Sequence, residues 1–166
     1  MKNYKTTFNK DAEENKQYAH VLAVMDPNAA IGGGGGGLAR KDKFQLSGLD
    51  VFTPDPQPGA TTTPRSTLLA TTTDGRRLGM RQFMGLTYAA DIAEQMPSPT
   101  TVAQSCEFVN YAKAEKWWFV VLDRDAVNRT ARDGRTFART TMKLMAFGHE
   151  PTDDEINAAV ASALAA

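Results

Sequence analysis

Two aspartates, Asp123 and Asp125, stand one residue apart at the end of the apolar run over residues 117–122. Side chains alternate along a strand, so both carboxylates are expected on one face, where they could share a hard cation such as Mg²⁺. Pairs of this kind serve metal-dependent phosphoryl transfer and hydrolysis. The sequence places no third acid beside them, and nearby arginines are alternative partners. A metal-dependent enzyme centred on this pair is the third of three functional hypotheses.

The same region is rich in arginine. Basic side chains next to aromatic ones can hold nucleic acid through phosphate contacts and base stacking. Nearby aspartates cancel part of the charge, and the aromatic run over residues 117–119 is apolar enough to form core. The Arg-rich turn over residues 124–139 is therefore expected to meet nucleic acid or an acidic protein partner, which is the second hypothesis. Its candidate residues are Arg124, Arg129, Arg132, Arg135 and Arg139.

Residues 32–37 are six consecutive glycines, and they contain the G-x-G-x-x-G spacing. A dinucleotide site needs such glycines to open a helix whose N-terminus holds the pyrophosphate. Residues 38–43 instead lead into a broken, Gly-containing stretch, and Leu38 stands where the lysine of a phosphate-binding loop would follow. We interpret the glycines as a flexible tether, because a run without side chains has maximal backbone freedom.

The remaining reactive side chains are isolated. His20 and His149 are far apart, and neither has a second ligand at the spacing of a metal site. Cys106 falls on the apolar stripe of a predicted helix and is expected to pack as a small core residue. We predict no metal, no cofactor and no small-molecule ligand, and we do not expect an enzyme.

Composition limits the partners and the location. The chain has 166 residues with 19 basic and 19 acidic side chains, so no overall charge favours nucleic acid or anionic membranes. It has one cysteine and therefore no internal disulfide framework. The first residues lack the apolar core of a signal peptide, and no run approaches the roughly 20 apolar residues of a membrane helix. We expect no membrane partner, no secretion by a signal peptide, and a cytoplasmic or virion location.

Residues 1–64 are predicted to form an extended, flexible arm. An apolar stretch over residues 19–25 is predicted to form a strand, and a second apolar stretch spans residues 44–52. A Pro/Thr-rich connector over residues 53–64 follows. The two apolar stretches are expected to bind a neighbouring subunit. Their contact residues are Val21, Leu22, Val24, Phe44, Leu46, Leu49, Val51 and Phe52.

Residues 65–166 are predicted to form a compact α+β body. An Asp-Gly pair at residues 74–75 separates two strand-like runs, which is a strong hairpin signal. Helices are expected over residues 86–96 and 100–116, and a second hairpin over residues 117–147. A Thr-x-x-Glu capping box at residues 152–155 opens a final helix. The expected architecture is one antiparallel sheet of four or five strands built from the two hairpins, with the helices on one face.

The leading functional hypothesis is a structural subunit of a multi-subunit particle, for example a viral or phage virion. The predicted arm, with its apolar stretches and flexible connectors, is typical of segments that reach from one subunit to the next. The expected partners are further copies of this chain or other particle subunits, with nucleic acid as the alternative. The Arg-rich turn and the Asp123/Asp125 pair supply the two competing hypotheses.

Overall fold

The computed structural model describes residues 2–5, 8–56, 58–59, 61, 65–130, 134 and 136–165. It is a mixed α/β structure with two sheets and three α-helices among those residues. None of the helices in this described part is long and apolar enough to cross a membrane.

The larger sheet has four strands in the spatial order β1-β6-β7-β5. Its long strands, β6 (Trp118–Thr130) and β7 (Thr136–Phe147), pair antiparallel over their whole length. The two-residue strands β1 (Lys43–Phe44) and β5 (Thr87–Tyr88) flank only one end of this pair, β1 antiparallel to β6 and β5 parallel to β7. The other end of β6 and β7 therefore continues beyond the sheet as a two-stranded hairpin.

The smaller sheet has three antiparallel strands in the order β2-β3-β4, formed by Leu46–Phe52, Thr67–Thr72 and Arg77–Gly79. Strands β3 and β4 meet at the predicted turn, where Gly75 has a φ of 86° that glycine tolerates. Only Gln45 separates β1 from β2, so the chain changes sheets within one residue. The two predicted hairpins thus lie in separate sheets, and the expectation of a single sheet was wrong.

Helices α2 (Val102–Ala114) and α3 (Asp153–Ala165) cover opposite faces of the larger sheet. Phe119 of β6 belongs to the main core together with residues of α2, whereas Val120 packs with α3 in a second, smaller core. The prediction that all helices share one face was therefore wrong. The reason is visible in β6, which is apolar at every position over residues 118–122 and so has two faces to bury.

Aromatic side chains form the centre of the main core. Phe119 is 0 % exposed and lies at the middle of this cluster. Aromatic pairs at such separations add stability beyond the area they bury. The ring of Phe119 has its centroid 5.3–6.4 Å from those of four others, Phe44, Phe83, Phe108 and Trp117.

Two local predictions failed. Residues 19–25 form helix α1 (Ala19–Val24) after a 3₁₀ helix (Glu13–Tyr18), not a strand, and the buried residues Val21 and Met25 are spaced as on one helical face. The predicted helix over residues 86–96 is instead strand β5 followed by turns.

Tertiary hydrogen bonds explain the second failure. The backbone N–H of Ala89 donates to the carbonyl of Ala146 at 2.8 Å, which extends the pairing along the edge of β7. The hydroxyl of Tyr88 donates to the carbonyl of Met96 at 2.9 Å and accepts from its N–H at 3.2 Å. These partners satisfy backbone groups that a helix would have paired internally.

The segment predicted to be an extended arm contributes to the main core. Tyr18, Val21 and Leu38 are at most 1 % exposed and belong to the same buried cluster as Phe119. The hydroxyl of Tyr18 also reaches the side-chain oxygen of Asn110 in α2 at 3.0 Å. Residues on both sides of position 64 therefore share one core, which differs from the predicted extended arm on a separate body.

The glycine segment, residues 32–37, lies against β4 and the 3₁₀ helix that follows it (Met80–Gly85). Gly34 accepts a hydrogen bond from the N–H of Gly79 at 3.0 Å, and Gly32 accepts one from Arg81 at 3.1 Å. The segment is thus bonded to its neighbour by its backbone, and its interpretation as a flexible tether was wrong.

Close backbone approach explains several of these glycines. A Cβ at Gly36, where φ is +59°, would lie 1.9 Å from the carbonyl oxygen of Arg77. A Cβ at Gly79 would lie 2.5 Å from the Cα of Gly33. No side chain fits at either contact, so glycine is required there by packing.

The predicted start of α3 is confirmed. The hydroxyl of Thr152 accepts a hydrogen bond from the N–H of Glu155 at 3.2 Å, and the Glu155 carboxylate accepts one from the N–H of Thr152 at 3.1 Å. These are the two reciprocal bonds of a capping box. Ile156 and Val160, each 4 % exposed, then bury one face of the helix.

Candidate nucleic-acid interface

The distal hairpin, defined as residues 123–130 of β6 and 136–143 of β7, extends past the flanking strands. A bulge at Leu122 interrupts the register just before it, between the pairs Val121–Leu144 and Asp123–Lys143. Eight register pairs follow, so at about 3.4 Å per residue the hairpin projects about 25 Å. Most of its described side chains are exposed, in contrast to the buried residues before the bulge.

Register partners share a face of a strand pair, which divides the hairpin into two surfaces. The α3-side face continues from Met145 and Phe147, which pack with α3. It carries the charged side chains Asp123, Asp125, Arg129, Arg139 and Lys143. The opposite face continues from the main core and carries the side chains Arg124, Ala126, Asn128, Thr130, Thr136 and Thr140.

Arg129 and Arg139 are exposed and have no carboxylate partner among the described residues. Arg124 is placed differently, because its guanidinium donates to the backbone carbonyl of Leu38. The other two predicted residues, Arg132 and Arg135, lie outside the described residues. The three described arginines of the five predicted are all exposed, and one of them, Arg124, joins β6 to the glycine segment.

Three arginines of the body, in contrast, are ion-paired. Arg40 contacts Asp123 at 2.7 Å, and Arg77 contacts Asp50 at 3.1 Å. Arg76 contacts Asp74 at 2.6 Å and Asp42 at 2.9 Å. Residues 126–142 contain four arginines and one aspartate, a formal charge of +3 in a chain whose net charge is 0. The rest of the chain therefore carries −3, and the positive charge is concentrated in the distal hairpin.

One carboxylate of the Asp123/Asp125 pair, that of Asp123, is ion-paired. Asp123 accepts hydrogen bonds from Arg40 at 2.7 Å and from the N–H of Arg124 at 2.9 Å. The Arg40 guanidinium holds the pKa of the Asp123 carboxyl below its ordinary value. Asp125 lies opposite Thr141 and is exposed. Among the described residues no group of three or more His, Cys, Asp or Glu side chains could hold a metal ion.

Most of the predicted subunit-contact residues are not at the surface. Four are buried in the main core, namely Val21, Phe44, Leu46 and Leu49. Leu22 and Val51 are partly buried and pack against it. Only Val24 and Phe52 are strongly exposed, at 58 % and 53 %.

His149 forms a cluster that the sequence did not predict. Its Nδ1 lies 2.7 Å from the Asp91 carboxylate and its Nε2 lies 2.8 Å from the Glu155 carboxylate. The two carboxylates raise the pKa of His149 above its ordinary 6.5, the bond to Asp91 being the larger cause. Each ring nitrogen faces a different carboxylate, so the three groups do not converge on a common point. The cluster ties α3 to the loop after β5.

The other two isolated side chains, His20 and Cys106, belong to no cluster of reactive groups among the described residues. His20 is exposed, with its Nε2 3.8 Å from Asp50. Cys106 is 0 % exposed in α2, and burial raises the pKa of its thiol to about 12. It is therefore a neutral thiol packed in the core, as the sequence predicted.

Comparisons of this chain with models of protein families, with curated proteins and with solved structures find no match.

Proposed function

We propose that this protein binds double-stranded nucleic acid through the distal hairpin. The observation that carries the proposal is that Arg129 and Arg139 project from an exposed two-stranded ribbon without a carboxylate partner among the described residues, whereas Arg40, Arg76 and Arg77 of the body are ion-paired. Arginines left open to solvent are suited to phosphate, because the guanidinium can donate two parallel hydrogen bonds to it.

The shape of the hairpin supports a duplex as the ligand. The major groove of B-DNA is about 12 Å wide and admits a two-stranded β-ribbon. A projection of about 25 Å is long enough to follow such a groove and to reach the phosphates on its walls. Stacking on single-stranded bases has less support, because Trp117 and Phe119 are 4 % and 0 % exposed and belong to the core.

The direct test is fluorescence anisotropy of a labelled 20-base-pair DNA duplex at increasing NaCl concentration. We expect binding that weakens steeply with salt, because each phosphate contact contributes about 0.9 to the slope of log K against log salt. Arg129→Gln combined with Arg139→Gln should reduce that slope by about 2. Single-stranded DNA and duplex RNA serve as competitors and report which form is preferred.

Lys10→Gln combined with Lys16→Gln is the matched control, since it removes the same charge from exposed lysines of the N-terminal segment. This control should bind as the wild type does. The proposal fails if the wild type does not bind the duplex at low salt. It also fails if the two double variants lose affinity equally, because binding would then depend on net charge and not on the hairpin.

The second candidate function is the structural subunit of a multi-subunit particle. Strand edges favour it: β1 and the residues just before it bond to β6 only as far as Val121, and β5 pairs only with Met145 and Ala146 of β7. Beyond them the described outer edges of the distal hairpin have no strand partner, and such edges can pair with another chain. The contact surface proposed here is this hairpin, not an N-terminal arm.

The mass of the purified protein in solution tests this second function. A stable oligomer that survives 500 mM NaCl and nuclease treatment would favour assembly over nucleic-acid binding. A double variant, Val24→Ser with Phe52→Ser, tests whether the two exposed apolar side chains of the predicted arm contribute to self-association. A monomer at all concentrations would contradict a self-assembling subunit.

A further inference from the structure

A groove of about 730 Å³ lies beside the base of the distal hairpin. Arg81 and Gln82 line one side of it, the glycine segment forms another side, and residues 139–142 of β7 form the third. Its lining includes two arginines, Arg81 and Arg139, and no acidic side chain. The groove therefore adjoins the base of the hairpin and has a cation, Arg81, in its wall.

The wall formed by β7 is held by one buried side chain. Gln82 is 5 % exposed; its Nε2 donates to the carbonyl of Thr140 at 2.9 Å, and its Oε1 accepts from the N–H of Met142 at 3.0 Å. This amide therefore takes the place of a further strand at the edge of β7. The groove is built before any ligand arrives, which lowers the entropic cost of binding.

Two glycines in the groove are not required by packing. A Cβ added at Gly33 would have no heavy atom closer than 3.6 Å, and one at Gly34 none closer than 3.9 Å. Neither residue has a positive φ. This distinguishes them from Gly32, where a Cβ would lie 2.7 Å from the Thr67 side chain, and from Gly36. A side chain at Gly33 would point toward Arg81 and Gln82 and would fill the groove.

The guanidinium of Arg124 lies close to Gly35. A Cβ at Gly35 would be 3.1 Å from Nη2 of Arg124, so this cation lies directly over the glycine backbone. Arg124 also donates to the carbonyl of Leu38, which holds it in place. Arg81 and Arg124 thus lie beside a stretch of chain that has no side chains of its own.

We propose that this groove binds a phosphate group, with Arg81 as the contacting cation. Guanidinium groups bind phosphate oxygens through charge-assisted hydrogen bonds, and glycine allows the ligand to approach the backbone closely. The proposal rests on the function proposed above, since the phosphate would belong to the backbone of the duplex that the distal hairpin enters. A free phosphate compound has the same chemistry, and the experiment separates the two sources.

The experiment combines anisotropy with amide NMR of ¹⁵N-labelled protein. The 20-base-pair duplex is one probe and inorganic pyrophosphate is the other. We expect the duplex to shift the amide resonances of Gly33 and Gly34 in the wild type. Arg81→Gln should weaken duplex binding about tenfold, as expected for the loss of one charged hydrogen-bonding group. Gly34→Ala should also weaken it, although the methyl group meets no atom within 3.9 Å.

Lys16→Gln is the single-charge control and should leave duplex binding unchanged. Circular dichroism and thermal unfolding of each variant verify that the fold is retained. Because Arg81 is exposed, its substitution tests the groove even if Gly34→Ala perturbs the local backbone.

The outcomes separate this inference from the proposed function. If the hairpin variants weaken duplex binding but Arg81→Gln and Gly34→Ala do not, the groove inference is overturned and the proposed function stands. If the wild type does not bind the duplex but pyrophosphate shifts Gly33 and Gly34, the groove is supported with a free phosphate compound as ligand, and the proposed function fails. If neither probe shifts these resonances, the groove inference is overturned, and the anisotropy of the labelled duplex decides the proposed function separately.

Discussion

The glycine segment and the distal hairpin lie side by side but are held in different ways. The glycine segment is fixed by other parts of the chain, through hydrogen bonds to Gly79 and Arg81 and through contacts too close for a side chain. The distal hairpin is held mainly by pairing between its own two strands. A segment held by close contacts with other parts of the chain should tolerate few substitutions at those contacts. A hairpin held by the hydrogen bonds between its own strands can vary its outward side chains and use them for binding.

Removing residues 1–64 should have the largest effect. The deletion takes away the glycine segment, strands β1 and β2, and buried residues such as Tyr18 and Leu38. We expect the remaining chain to lose cooperative urea unfolding and to show the exposed apolar surface of a partly folded state. If it instead unfolds cooperatively with near-native stability, residues 65–166 form an independent domain, and the account of a shared core is wrong.

Substitutions within the glycine segment should have the next largest effect and should differ by position. At Gly36 the methyl group would meet the Arg77 carbonyl at a positive φ, so Gly36→Ala should cost about 2–5 kcal/mol of unfolding free energy. Gly37 also has a positive φ, but a Cβ there meets nothing within 4 Å, so Gly37→Ala should cost only about 1–2 kcal/mol. Chemical denaturation measures both, and equal costs would argue against the close contact at Gly36.

The stability contributed by the His149 cluster, which ties α3 to the loop after β5, should depend on pH. His149 has its pKa raised above 6.5 by Asp91 and Glu155, so its contribution to stability is fully present below pH 6.5 and is lost as pH rises through the folded pKa. Asp91 and Glu155 have pKa values lowered from 3.8 and 4.5, so their contribution is lost as pH falls through those lowered values. The cluster should therefore stabilise most between about pH 4.5 and 6.5.

Denaturant unfolding at several pH values checks this prediction, with His149→Gln as the comparison. The difference in stability between wild type and variant should shrink as pH rises above 6.5. NMR titration of the imidazole gives the folded pKa directly. A value at or below 6.5 would show that the two carboxylates do not stabilise the imidazolium.

Shortening the distal hairpin should have the smallest effect on stability. Val127 and Arg139 are register partners, so residues 128–138 can be replaced by Asn-Gly, a two-residue turn that suits a hairpin. We expect a change of about 1 kcal/mol or less in unfolding free energy, because those of the removed residues whose side chains are described are exposed. The same variant should lose most of its duplex affinity. A large loss of stability would mean that the hairpin supports the fold, which would weaken the contrast with the glycine segment.

Local signals in the sequence located several elements correctly. The capping box at Thr152 and Glu155 opens α3, and the apolar run over residues 117–122 gives a strand buried at the centre of the larger sheet. The helical spacing around Cys106 gives α2. These signals depend on residues near each other along the chain, so composition and periodicity are sufficient to read them.

The candidate site was only partly predictable. The sequence singled out Arg129 and Arg139 by residue type, but it gave no reason to separate them from Arg40 and Arg77, because ion pairs join residues far apart in sequence. Arg81 was not predicted at all, since its place beside residues 139–142 depends on how the two sheets pack. The His149 cluster was missed for the same reason: Asp91 is 58 positions away.

By itself the sequence determined where apolar side chains must be buried and where positive charge accumulates along the chain. The tertiary structure decided which segments carry those properties to the surface. Residues 19–52 look like detachable apolar stretches joined by glycine, yet most of their apolar side chains lie in or against the core that includes residues of α2 and β6. The continuation of β6 beyond Leu122 projects because none of the described strands other than β7 flanks it. The free energy of burial depends on what each surface packs against, and distant parts of the chain supply that partner.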